Sequence, residues 1–249
     1  MINIVIPMAG RGFRFKDSDH EEPKPLIKVV DGKPMVQLVV ENLTPREEHR
    51  FIFICRREHD EIYHLDNLFG KITTRYEKVL VDEVTEGPAC SVLLARPWID
   101  NDQPMMTACA DDFVDTDITE FLEFATGNAA EGTIMTYLAN RPSGSSAKIN
   151  DEGLVTEVAE KQVIGPYTTV GIYYFAKGRY FVEATEQMIR LDKRTNGEFY
   201  VAPVFNELIA RGFTIKPYEI DAADKHCMGT PESLETFQRN IQSNPDIIS

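Results

Sequence analysis

The chain has 249 residues, 43% of them hydrophobic and 27% charged, enough for one large α/β domain with a buried core, or for a domain plus a small lobe. A net charge of −14 excludes the broad basic face that nucleic acid or an anionic membrane would need. The four cysteines form no Cys-x-x-Cys pair and the five histidines no metal-ligand spacing, the pattern of reduced, mostly buried thiols in a cytoplasmic protein. The N-terminus shows no basic n-region, and its apolar run is too short for a signal peptide or a membrane span.

Ile2 to Ile6 is an apolar run rich in β-formers and predicts a buried parallel strand. It opens into Met8-Ala9-Gly10-Arg11-Gly12-Phe13-Arg14-Phe15. Glycines there let the backbone turn sharply and bring N–H groups to an anion. Met35 to Leu43 has the apolar spacing of a crossover helix, and Phe51 to Cys55 reads as the next strand. His59 and His64 fall in a polar, solvated stretch. Val79 to Val81 predicts a strand, and Ala89 to Ala95 a helix after Gly87-Pro88. Pro104 to Ala110 predicts a buried strand ending at Asp111-Asp112, and Ile118 to Ala125 a helix.

This alternation predicts a Rossmann-like, GT-A-type α/β fold, a mostly parallel mixed sheet flanked by helices. The second half changes character. Thr133 to Leu138, Leu154 to Ala159 and Thr168 to Phe175 read as strands, with Arg141 to Ser146 as a loop. Helices over Tyr180 to Arg190 and Val201 to Ala210 precede a final strand, Thr214 to Tyr218. Thr230 is the N-cap of a last helix, with Pro231 at its first position. One domain over 1–249 with a mixed C-terminal half is the simplest account.

Residues 1 to 35 hold six Lys/Arg against five Asp/Glu, a net of +1, whereas the remainder carries −15. A locally basic loop on an acidic body suits a small phosphorylated ligand. Gly10-x-Gly12 lacks the third glycine of a dinucleotide fingerprint, and no Gly-x-x-x-x-Gly-Lys-Ser/Thr loop occurs. Nicotinamide binding and P-loop hydrolysis are therefore disfavoured.

The whole constellation is more specific. Met8 to Phe15, Lys24-Pro25 and Gly32-Lys33-Pro34-Met35 resemble the opening of the sugar-phosphate nucleotidylyltransferases (pyrophosphorylases), and especially their compact capsule-associated members. Five further segments follow in the family's order: Glu86-Gly87-Pro88-Ala89, Ala110-Asp111-Asp112, Glu160-Lys161, Asn196-Gly197-Glu198-Phe199-Tyr200 and Gly229-Thr230-Pro231. Thr169 to Tyr173 resembles the strand after the Glu-Lys pair. There are departures too. Ala9 replaces a glycine and Phe13 a Thr or Ser, Cys227 stands where many members carry a second metal-binding Asp, and Ser145-Ser146 replace an aromatic.

The resemblance implies that an acceptor phosphate attacks the α-phosphorus of a nucleoside triphosphate and pyrophosphate leaves. A phosphate monoester has a second pKa near 6, so the nucleophile is already ionised. What the site must supply is positioning and positive charge. By resemblance, residues 1–130 are the nucleotide-binding half, with Met8, Ala9, Gly10, Arg11, Gly12, Glu86, Gly87 and Ala89 on the nucleotide. Residues 131–249 are the acceptor-binding half, with Glu160, Lys161, Gly171 and Glu198 on the acceptor. Arg14, Lys24 and Lys161 are the catalytic cations, and Asp111 holds Mg²⁺. The implied partners are a nucleoside triphosphate, CTP by preference, and a phosphorylated small-molecule acceptor for capsule or other surface polysaccharide; homo-oligomerisation is left open. Two other readings compete. A GT-A glycosyltransferase would use Asp115-Thr116-Asp117 as an Asp-x-Asp, although that sequence also reads as a helix start. A non-catalytic nucleotide-binding homologue is motivated by Phe13 and Cys227.

Overall fold

A computed structural model describes residues 1–15, 18, 20–139 and 144–248. Its strands in chain order are β1 (Ile2–Pro7), the small ribbon β2 (Lys28–Val30) and β3 (Lys33–Pro34), β4 (His49–Arg56), β5 (Tyr76–Val81), β6 (Met105–Ala108) and β7 (Asp112–Val114). The second half adds β8 (Gly132–Leu138), β9 (Ser145–Ile149), β10 (Val155–Glu160), β11 (Tyr167–Phe175), β12 (Ile215–Ile220) and β13 (Lys225–Cys227).

β5, β4, β1 and β6 lie side by side and all run parallel. Antiparallel β11 then joins β6 to β8, and β12 pairs parallel with β8 at the far edge. The hairpin β9–β10 attaches to the start of β11 through Tyr167 and Thr168. The fold is thus a single Rossmann-like α/β domain whose C-terminal half is mixed.

Alternation along the central strands explains why this sheet is covered on both faces. Ile4, Ile6, Phe51 and Phe53 enter one core with the helix Met35–Asn42 and the C-terminal helix Pro231–Ser243. Val5, Ile52 and Ile54 enter the other, with helices Pro88–Leu93 and Gly178–Arg190. Residues one apart point to opposite faces, so continuous apolar runs are what a doubly covered strand requires.

Three expectations are corrected. The strand expected over Pro104 to Ala110 stops at Ala108, because the chain turns at Cys109–Asp111, and Asp112 begins a second strand, β7, which pairs with β13 away from the main sheet. Thr214 to Tyr218 is therefore not the last strand. Ser145 and Ser146, expected in a loop, open β9; the remainder of that loop, Arg141 to Ser143, lies outside the described residues. The polar stretch around His59 and His64 folds into helices Arg57–Tyr63 and Leu65–Ile72, which turn on a left-handed His64 (φ 50°). The last helix is as expected: Thr230 and Ser233 form a capping box before Pro231–Ser243. Among the described residues, no helix is long and apolar enough to cross a membrane.

Candidate active site

In open α/β sheets the ligand crevice lies at the carboxyl ends of the parallel strands. At that end of β1 the chain passes through Met8 and Ala9, both buried, to exposed Gly10 and Arg11. Met8 is tied to β4 by its N–H on the Ile54 carbonyl, 2.9 Å. With their side chains in the core, Met8 and Ala9 can offer a ligand only backbone. Gly12 is left-handed (φ 61°), and a short 3₁₀ turn over Phe13–Phe15 follows. The turn sends Phe15 into the core and leaves Arg14 63% exposed on its side chain. Phe13 is also exposed, with the Arg11 guanidinium 5.4 Å from its ring.

Three charged groups from distant segments meet here. The Lys24 ammonium donates to Asp111 Oδ2, and an Arg14 guanidinium nitrogen lies 3.7 Å from the same oxygen. Lys24 starts a 3₁₀ turn with Pro25, which fixes its backbone, and its side chain is largely buried. The Gly-Thr-Pro segment closes the cluster from below. A Cβ on Gly229 would lie 2.9 Å from Asp111 Oδ2, 3.1 Å from Cys227 Sγ and 3.2 Å from an Arg14 nitrogen. A side chain there would have to displace these three side-chain ends. The Met228 N–H also donates to the Asp111 carbonyl, 2.7 Å.

Beneath Asp111 sits a buried ion pair, Lys225 Nζ to Asp112 Oδ1 at 2.8 Å. Burial pulls the Lys225 ammonium down, but Asp112 and Cys227 beside it more than offset that and hold it up. Burial and Asp111 push the Asp112 carboxyl up against the pull of Lys225. Neither Asp111 nor Asp112 caps the next helix; Asp117 does, accepting from the Thr119 N–H at 2.8 Å and pairing with Arg46. The Asp115-x-Asp117 sequence is therefore a helix start.

The ligand atoms of Cys109, Asp111 and Asp112 lie within 4.8 Å of one another. Mg²⁺ takes oxygen ligands. The two carboxylates fit such an ion. The Cys109 thiol, pushed well up by burial and by both aspartates, does not. Asp112 pairs with Lys225 through Oδ1 and Asp111 with Lys24 through Oδ2, so each carboxylate keeps its other oxygen for a hard cation.

In the segment expected to meet the base, Gly87 (φ 140°) runs so close to Phe199 that a Cβ would lie 2.4 Å from the Phe199 carbonyl oxygen. The Phe199 N–H donates to the Glu86 carbonyl at 2.9 Å, and the Ala89 N–H to the Phe199 carbonyl at 3.0 Å. The Glu86 carboxylate accepts from Arg194 at 2.6 Å, and that guanidinium lies 4.1 Å from the Phe199 ring. The 86–89 loop and the segment that carries Glu198 and Tyr200 are one bonded unit.

In the second half of the chain, Glu160 ends β10 and Lys161 follows it. Burial pushes the Glu160 carboxyl up, partly countered by a hydrogen bond from Ser145 and by Lys161. Lys161, Tyr200 and Glu198 form a hydrogen-bonded chain. β11 links the two regions: its Gly171 carbonyl accepts from the Cys109 N–H at 3.2 Å, and its start, Tyr167 and Thr168, pairs with β9 of the hairpin that ends at Glu160. Gly171, expected on the acceptor, lies at the β11 irregularity instead, its Cβ position 2.9 Å from Cys109 Sγ and 3.2 Å from Asp112 Oδ2.

Arg14, Lys24 and Asp111 are thus brought together, as are Glu160, Lys161 and Glu198. Sequence reasoning gave no role to Tyr200, Arg194 or Lys225. Tyr200 was quoted only as the end of the Asn196–Tyr200 segment, and Arg194 and Lys225 stand just before marked residues.

A carboxylate–cation cluster at the carboxyl edge of a Rossmann-like sheet defines a class of phosphate-handling α/β proteins. Within that class the chain belongs to the nucleotidyl transferase family, which it matches over residues 4–242. It is 23% identical over 236 residues, 92% of this chain, to the low-salt glycan biosynthesis nucleotidyltransferase of Haloferax volcanii, but spans only 63% of that protein's length. Two solved structures share the fold. The nucleoside-diphosphate-sugar pyrophosphorylase of Vibrio cholerae RC9 superposes with a TM-score of 0.78 at 24% identity, over 95% of this chain and 99% of that one. The inositol-1-phosphate CTP transferase of T. maritima does so with 0.76 at 14% identity, over 99% and 95%.

Proposed function

We propose that the protein is a nucleotidylyltransferase that joins a nucleoside triphosphate to a phosphorylated sugar or related metabolite and releases pyrophosphate. The observation that supports this most is the meeting of Arg14 and Lys24 on Asp111, with a further cation, Lys161, held in a separate chain with Tyr200 and Glu198. Two cationic patches suit a reaction that must bring two anions together. In this reading residues 1–130 bind the nucleotide and residues 131–249 the acceptor.

Arg14 and Lys24 orient the triphosphate and neutralise charge on the departing pyrophosphate. The Gly10–Gly12 backbone turns around its phosphates, and the 86–89 loop meets the base. Lys161 holds the acceptor phosphate, which is largely ionised at neutral pH and needs no general base. Glu160 and Glu198 accept hydrogen bonds from acceptor hydroxyls. Asp111 would hold a Mg²⁺ ion, which supplies charge neutralisation on phosphate oxygens. CTP is the preferred nucleotide and surface polysaccharide the destination of the product. The protein is read as cytoplasmic.

The test is pyrophosphate release from each of four nucleoside triphosphates, with and without Mg²⁺. The acceptors are glucose, galactose, mannose and inositol 1-phosphates, glycerol 3-phosphate and phosphocholine. Release with one pairing, lost on chelation, is expected. Nucleotide binding by calorimetry with silence across the panel would replace this reading with a non-catalytic one. Sugar transfer from an intact nucleotide-sugar would replace it with glycosyl transfer.

A further inference from the structure

Lys161 has a left-handed backbone (φ 55°), rare for a lysine, and its N–H donates to the Gly144 carbonyl at 2.7 Å. Its backbone is therefore fixed. Its four-carbon stem is not fixed by the same contacts, and a free lysine end has much rotamer entropy to lose on meeting a phosphate. The ammonium instead donates to the Tyr200 phenol oxygen, and that phenol donates to Glu198 Oε2 at 2.5 Å. The ammonium is 4.7 Å from the ring centroid while touching the hydroxyl. It thus sits off the hydroxyl end of the ring, and the contact is a hydrogen bond more than a cation–π interaction. The phenol raises the Lys161 pKa, while burial and Glu198 raise that of the phenol.

Tyr200 is itself held. Its neighbour Phe199 is hydrogen-bonded on both sides to Glu86 and Ala89, and Gly87 fits against it with no room for a side chain. The phenol is therefore carried on a segment anchored to the 86–89 loop.

We propose that Tyr200 is a positioning residue for the acceptor phosphate, fixing the Lys161 ammonium through its hydroxyl with Glu198 as the support behind it. This rests on the transfer reading above. An ammonium has three donors, so Lys161 keeps the phenol as one partner and turns the others to the phosphate. No proton leaves Lys161 or Tyr200.

The experiment is two-substrate kinetics on Tyr200→Phe, with the nucleotide and the panel acceptor that turn over fastest in the wild type. Losing one hydrogen bond to a charged group is expected to raise the acceptor KM about tenfold. The nucleotide KM and the Tm should stay at wild-type values, because the ring and its packing remain. In a Lys161→Ala background the same substitution should change the rate less than about twofold, as two groups acting through one interaction are not additive. An unchanged acceptor KM, a parallel rise in nucleotide KM, or a full effect without Lys161 would each overturn the inference while leaving the transfer reading intact. Silence of the wild type across the panel would remove the transfer reading and this inference with it.

Discussion

The two charged patches of the site are built in opposite ways. On the side proposed for the nucleotide, two cations converge on one carboxylate, and the backbone around them is closed by glycines and prolines. Arg14, Lys24 and Asp111 come from three separate segments, and Gly229 lets a fourth press against them. On the side proposed for the acceptor, one cation sits among two carboxylates and a phenol, at the end of a hairpin. The difference teaches what each half is suited to hold. Excess cation on a rigid strand end fits a polyphosphate. One lysine ringed by acceptors fits a molecule with a single phosphate and several hydroxyls.

Removing a cation breaks the comparison most severely. At about 4 Å and an effective dielectric near 20, one charge pair is worth about 4 kcal/mol. Lys24→Ala and Lys161→Ala should each slow turnover roughly a thousandfold, measured as pyrophosphate release under saturating conditions.

The next largest effect probes the rigid side. Gly87→Ala puts a methyl 2.4 Å from the Phe199 carbonyl at φ 140°. Strain of about 1–3 kcal/mol is expected as a lower Tm, accompanied by about a tenfold rise in nucleotide KM as the loop shifts.

The smallest effect sharpens the acceptor side. Burial raises the Glu160 carboxyl above its ordinary 4.5. As pH falls through that raised value the carboxylate is lost, so the acceptor KM should rise several-fold on the acid side. The sign for stability is the reverse. The folded state binds this proton more tightly than the unfolded state, so Glu160 itself gains stability as pH falls from above its folded value toward 4.5. Glu160→Gln should therefore raise the Tm slightly while raising the acceptor KM and flattening its pH dependence.

The nucleotide side was the more legible of the two in the amino-acid sequence, for a physical reason. Its strand, its glycine turn and the Lys24-Pro25 pair are local features, each written in consecutive residues. β7 and β13 are three residues each and pair across more than a hundred positions, so neither has a periodicity to read. β9 begins with Ser145-Ser146, which carry no strand signal, and pairs only because β10 and β11 lie on either side. Tyr200 follows Phe199 in a segment that looks like the approach to a helix; its role appears only when the fold brings Lys161 beside it. The Lys225–Asp112 pair was hidden in the same way.

The central claim is that these patches serve different substrates of one reaction, and substrate-resolved kinetics on two variants tests it most directly. With the active pairing from the panel, Lys24→Ala should raise the nucleotide KM with little change for the acceptor, and Lys161→Ala the acceptor KM with little change for the nucleotide. If both variants weaken the same substrate, or neither alters a KM or the rate, the two-anion site described here is contradicted.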